Sequence, residues 1–207
     1  MALLPVCIGV TWALVDLLSK VGHSSPFWIP TVAGAGAYLV VFLSLPKPMW
    51  IYVVGHEFTH ALSVWLCGGR VKKMKINAKG GYVTVTKTNS LITLSPYFFP
   101  IYAVLWALIF FAGDALFGWR HLRPWFHFGL GTTYAFHVTL TAYILRIRQP
   151  DLDREGWIFS AMVIWLGNVL GLLLALPLLT RIVPLSTALG WAFDRTGRFL
   201  TGLPRMF

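Results

Sequence analysis

His56-Glu57-Phe58-Thr59-His60 is the segment of this chain whose residue types and spacing can do chemistry. On a helix, positions four apart leave the same face one turn apart, so both imidazoles can reach a single metal ion. The glutamate between them can act as general base toward a water at that metal, which is how H-E-x-x-H works in zinc-dependent peptide hydrolysis. Zinc lowers the pKa of such a water toward about 7 and polarises a peptide carbonyl. The setting gives the motif weight. The chain has only two glutamates, and this one lies between two of its six histidines in an apolar run. A charged residue at mid-bilayer costs about 2.5–3.5 kcal/mol or more, so one that is kept there marks a functional site.

The elements that must carry this motif follow from composition. Of 207 residues, 57% are hydrophobic and 12% charged, and the mean hydropathy is +0.70. A soluble domain carries about a quarter charged residues, and a disordered chain lacks the 15% aromatics found here. An integral membrane protein remains. The net charge of +10 then reads as juxtamembrane Lys and Arg facing lipid headgroups, and nucleic acid is not expected as a partner.

A spanning helix needs about 20 apolar residues. Six stretches qualify: 2–19, 27–45, 49–67, 91–112, 125–147 and 157–180. The expected fold is all-α and membrane-embedded, with about six transmembrane helices. Between the third and fourth, the basic segment 70–88 holds two runs that alternate with period 2, around Lys79-Gly80-Gly81. A β-hairpin follows from that pattern. The larger share of Lys and Arg falls on its side of the bilayer, which places the hairpin in the cytoplasm. Residues 1–48 form two N-terminal helices, 49–180 a core, and 181–207 a tail mixing aromatic residues with Arg195 and Arg198, as an interfacial helix does.

Three features together resemble the site-2 protease family of intramembrane zinc metalloproteases. They are the apolar helix carrying HEFTH, the basic glycine-containing hairpin after it, and Leu94-Ser95-Pro96-Tyr97 opening the next span. The resemblance covers residues 49–180, and HEFTH is its specific motif. It implies Zn2+ as cofactor, His56 and His60 as ligands, Glu57 as the catalytic base, and a membrane-anchored protein as substrate. It also implies that the hairpin pairs with an extended substrate strand. The family's third ligand is an aspartate in an L-D-G-like motif, which is absent here, and the Ser95-Pro96 segment lacks the family's asparagine.

A third ligand must therefore be sought among this chain's own residues. His137 lies near the middle of the fifth expected span, which runs parallel to the third, so its depth matches that of HEFTH. Asp151, in Gln149-Pro150-Asp151, is the nearest echo of the family's aspartate. It lies fourteen residues beyond His137, about 21 Å along a continuous helix, and reaches the site only if the segment breaks and folds back. The expected order is His137, then Asp151, then Asp153. Asn168, a polar residue in the sixth span, suits hydrogen bonding between helices.

The function expected on these grounds is hydrolysis of peptide bonds in membrane-anchored proteins by a zinc metalloendopeptidase. Two other classes stay open at this level: a non-catalytic membrane homologue that binds a client helix or a metal, and a haem carrier using histidines such as His60 and His137.

Overall fold

The computed structural model describes residues 3–77 and 80–202; Lys79 of the expected hairpin turn lies outside them. The chain is mostly helical and divides into two compact units, Met1–Ser25 with Gly156–Phe207, and Pro26–Glu155.

The first unit holds α1 (Leu3–Val21), the long α8 (Trp157–Thr180) and α9 (Leu185–Thr201). Gly9 lets α9 come against α1, since a Cβ there would lie 2.5 Å from the Thr196 Cα. Asp16 of α1 pairs with Arg195 of α9 at 2.8 Å, which gives an acidic residue inside an apolar helix a partner. Trp165 Nε1 donates to Thr11 Oγ1 at 3.0 Å and ties α8 to α1. Asn168 Nδ2 donates to the Ile164 carbonyl of its own helix at 2.9 Å.

The second unit begins with α2 (Ser25–Ser44) and α3 (Met49–Leu66), separated by Pro46-Lys47-Pro48. Strands β1 (Val71–Asn77) and β2 (Gly80–Val85) then form an antiparallel hairpin, with Ile76 opposite Gly81, Met74 opposite Val83, and an irregularity between Val71 and Lys73. The short α4 (Ser90–Leu94) follows, capped by the Asn89 side chain, which accepts from the Ile92 N–H at 2.8 Å. One 3-10 turn, Ser95–Tyr97, leads to α5 (Ile101–Phe117). Next come α6 (Arg123–Ile144) and the six-residue α7 (Pro150–Glu155). Gly34 of α2 and Gly131 of α6 bring those two helices close. A Cβ on either would stand 1.9 Å from a backbone oxygen of the other helix, at Phe128 and Thr31.

One expectation changes here. The stretch 91–112 is not one straight span: it bends by 77° between Ser90–Tyr97 and Ile101–Phe117. Pro96 and Pro100 lack the N–H that a continuous helix needs at those positions, so an apolar run need not be a single helix. Among the described residues, three helices (α1, α2 and α8) are long and apolar enough to cross a membrane, and a fourth span is added if the bent pair counts as one. Helices α3 and α6, of 18 and 22 residues, are long enough. They fall short of that apolarity because they carry His56, Glu57 and His60 in one case and Arg123, His127 and His137 in the other.

Candidate metal centre

The cluster is built on one face of α3. His56 and His60 leave that face one turn apart, with ring centroids 4.8 Å from each other. Both Nε2 atoms lie 3.6 Å from the same atom, Oδ2 of Asp151. One ligand atom from each of the three residues falls within 4.8 Å of the others. Ligand atoms around a tetrahedral zinc, with bonds of about 2.0–2.2 Å, are about 3.3–3.6 Å apart. The donor set of two imidazoles and a carboxylate, at this spacing, fits that ion and leaves a fourth position for water.

Asp151 reaches the site because the chain after α6 turns back. α6 ends at Ile144, and the Gln149 side chain donates Nε2 to the carbonyls of Ile144 and Ile147, at 3.0 and 3.1 Å. Pro150 then opens α7, where a missing N–H costs nothing. Three contacts hold the short helix: Leu152 is buried, Ser90 Oγ donates to Glu155 Oε2, and Arg148 Nε pairs with Asp153 at 2.7 Å. That last pair directs Asp153 to Arg148, outside the cluster. The geometry thus brings Asp151, and neither His137 nor Asp153, into a cluster with the two imidazoles. The 21 Å objection to Asp151 assumed a helix that continues, and this one stops. His137 is buried on α6 and is not among the three clustered ligand residues.

Each member of the cluster except His56 shows a hydrogen-bonded support. His60 Nδ1 lies 2.9 Å from the Ile92 carbonyl, so it carries the proton and leaves Nε2 free for a metal. The same carbonyl accepts from Ser95 Oγ at 3.2 Å, and Ser95 Oγ accepts from Ser63 Oγ at 2.7 Å. Tyr97, fully buried, donates its hydroxyl to Asp151 Oδ2 at 3.0 Å. Burial alone would raise the Asp151 carboxyl, but the facing imidazoles of His56 and His60 outweigh it and hold the group well below the usual carboxylate range.

Glu57 is only 7% exposed, and the hairpin lies against it. A Cβ built on Gly81 would stand 2.7 Å from Glu57 Cγ and 3.0 Å from Oε1. Only a glycine leaves the carboxylate its room. On the other side of α3, Gly55 admits the Tyr102 ring, whose hydroxyl donates to the Ile51 carbonyl. Sequence reasoning missed Tyr97, Ser95 and Gly81 as members of the site. The Leu-Ser-Pro-Tyr and Gly-Gly segments were visible, but nothing local says that Tyr97 meets a carboxylate 54 positions away.

No curated protein and no solved structure matches the chain significantly. A model of the Peptidase M50B-like family matches residues 29–116, which contain His56, Glu57, His60 and Gly81 and end before Asp151. The chain is thus similar to that family over this stretch, which is less than half of its length, and it carries apolar helices long enough to cross a membrane.

Proposed function

We propose that this membrane protein is a zinc endopeptidase that cuts membrane-anchored proteins, with His56, His60 and Asp151 as its metal ligands and Glu57 as its base. The observation that carries the reading is the convergence of both Nε2 atoms on one Asp151 oxygen, beside a buried glutamate. When bound, zinc lowers the pKa of water and polarises the peptide carbonyl. Glu57 takes the proton from the attacking water and passes it to the leaving amine. Gly81 of β2 keeps space above the Glu57 carboxylate while the hairpin shields it from solvent. A helical substrate hides its carbonyls in i→i−4 bonds, so the scissile segment must unwind first. Pairing with an edge of the hairpin would hold it extended, a role the family resemblance also suggests. The full reading includes six membrane passes with the hairpin on the cytoplasmic side.

The test is Glu57→Gln assayed on a membrane-anchored substrate, with metal counted in the same preparation. Metal should be retained while turnover falls about 10²–10⁴-fold, the range for a lost general base. Unchanged turnover overturns the mechanism. Gly81→Val probes the same group from the hairpin. It should keep the metal and lower turnover by about 10²-fold, as a displacement of about 1 Å can.

A further inference from the structure

A histidine that ligates a metal through one nitrogen needs the other protonated and held in place. For His60 that partner is the Ile92 carbonyl. For His56 it is not evident: Nδ1 is buried and has no hydrogen-bond partner among the described residues. A second imidazole nitrogen is in the same condition, Nε2 of His137. Leaving either buried and unpaired is costly, and each calls for a partner such as an ordered water. Both residues line one small cavity, with Tyr52, Thr59, Tyr102 and Phe136. It gives the centre of a water molecule about 10 Å³ of room, about what one water needs.

We infer that His137 is a positioning residue for His56, acting through one bridging water. This rests on the proposed ligand set. His56 Nδ1–H donates to the water. The water donates one hydrogen to His137 Nε2, which is therefore neutral and unprotonated at that atom. Its second hydrogen goes to the Thr59 hydroxyl oxygen, which donates its own proton to the Gly55 carbonyl at 2.8 Å. The chain of bonds fixes the Nδ1–H tautomer of His56 and turns Nε2 toward Asp151. His137 thus contributes to the metal centre without touching the metal.

The experiment is metal binding, read by chelator competition for zinc and by the visible spectrum of the cobalt-substituted protein. Wild type, His137→Phe, His137→Gln, His60→Ala and Asp151→Ala are compared. His137→Phe should bind about 10–100-fold more weakly, the usual cost of losing such a support. His137→Gln, whose amide oxygen can accept from the water, should recover most of that loss with an unaltered cobalt spectrum. Wild-type affinity in His137→Phe overturns the inference. So does a His137→Gln protein as weak as His137→Phe with an altered cobalt spectrum, which makes His137 a direct ligand. Metal retained by both His60→Ala and Asp151→Ala overturns the ligand set itself, a separate failure. Nitrogen-15 histidine spectra of zinc-loaded wild type need no variant: His56 should be protonated at Nδ1 and His137 bare at Nε2. A proton on His137 Nε2 overturns the inference even if the Phe variant does not fold.

Discussion

Toward α4 and α7, α3 presents a continuous chain of hydrogen bonds, from Ser63 through Ser95 and the Ile92 carbonyl to His60, with Tyr97 holding Asp151. Toward α5 and α6, its His56 and the His137 of α6 border a cavity lined by aromatic rings, and each has a nitrogen with no partner among the described residues. Two histidines on one helix, four residues apart, are thus supported in different ways. One leans on a backbone carbonyl that local helix structure fixes, the other on a cavity with space for water. A backbone carbonyl cannot be mutated away, whereas a cavity depends on every side chain that lines it.

The sharpest way to break this comparison is to remove one group from each wall. Asp151→Ala should take metal content from about one per chain to near zero, because two imidazoles alone make an incomplete zinc site. His137→Ala should leave metal bound, though more weakly. Metal counted in purified protein decides it, and zinc that survives loss of Asp151 but not of His137 inverts the assignment of the two walls.

A pair of tyrosines gives the next contrast. Tyr97 donates to Asp151 at 3.0 Å, whereas the Tyr52 hydroxyl meets Thr141 at a weak 3.5 Å. Tyr97→Phe keeps the ring in its buried site and removes only the donor to a ligand carboxylate. Zinc affinity should fall about 10-fold or more, within the span known for outer-shell partners. Tyr52→Phe should change it by less than about threefold, since a bond that long contributes little. Equal losses in the two variants would erase the distinction between the walls.

How much of this was legible beforehand follows the range of each signal. The HEFTH helix and the hairpin are local patterns, with periods of 3.6 and 2, and their outlines match the structure. The bend at Phe98–Pro100 was hidden because hydropathy averages over a window and does not register a missing N–H. Asp151 was placed second because its distance was measured along a helix. What brings it back is a set of side-chain contacts at Gln149, Arg148 and Leu152, none of which a periodicity reveals. Tyr97 is one aromatic residue in an apolar segment, and such residues are ordinarily core. His137 was noticed for its depth in the helix. It lines a cavity together with His56 but is outside the ligand cluster, because depth says nothing about which nitrogen faces which partner.

The smallest expected effects come from the far end of the hydrogen-bonded wall, and they test whether it acts as a chain. Ser63 donates to Ser95, and Ser95 donates to Ile92. Ser63→Ala removes a donor while Ser95 keeps its own acceptor, so no buried hydroxyl proton is stranded. The loss should be about 0.5–1.5 kcal/mol of stability. Ser95→Ala instead strands the Ser63 proton in a buried site, which should cost about 1–3 kcal/mol. In neither variant does His60 lose the Ile92 carbonyl, so zinc affinity should move by less than about threefold, far below the loss of an outer-shell partner. Denaturant unfolding of the metal-free protein in detergent, run beside chelator competition, reads both quantities. If Ser63→Ala weakened zinc as much as Tyr97→Phe, the serines would be holding His60 in place through α4, and the wall would be a mechanical unit. If stability falls in the order given and affinity stays put, the serines fasten α3 to the Ser90–Tyr97 segment and the Ile92 carbonyl alone orients the ligand.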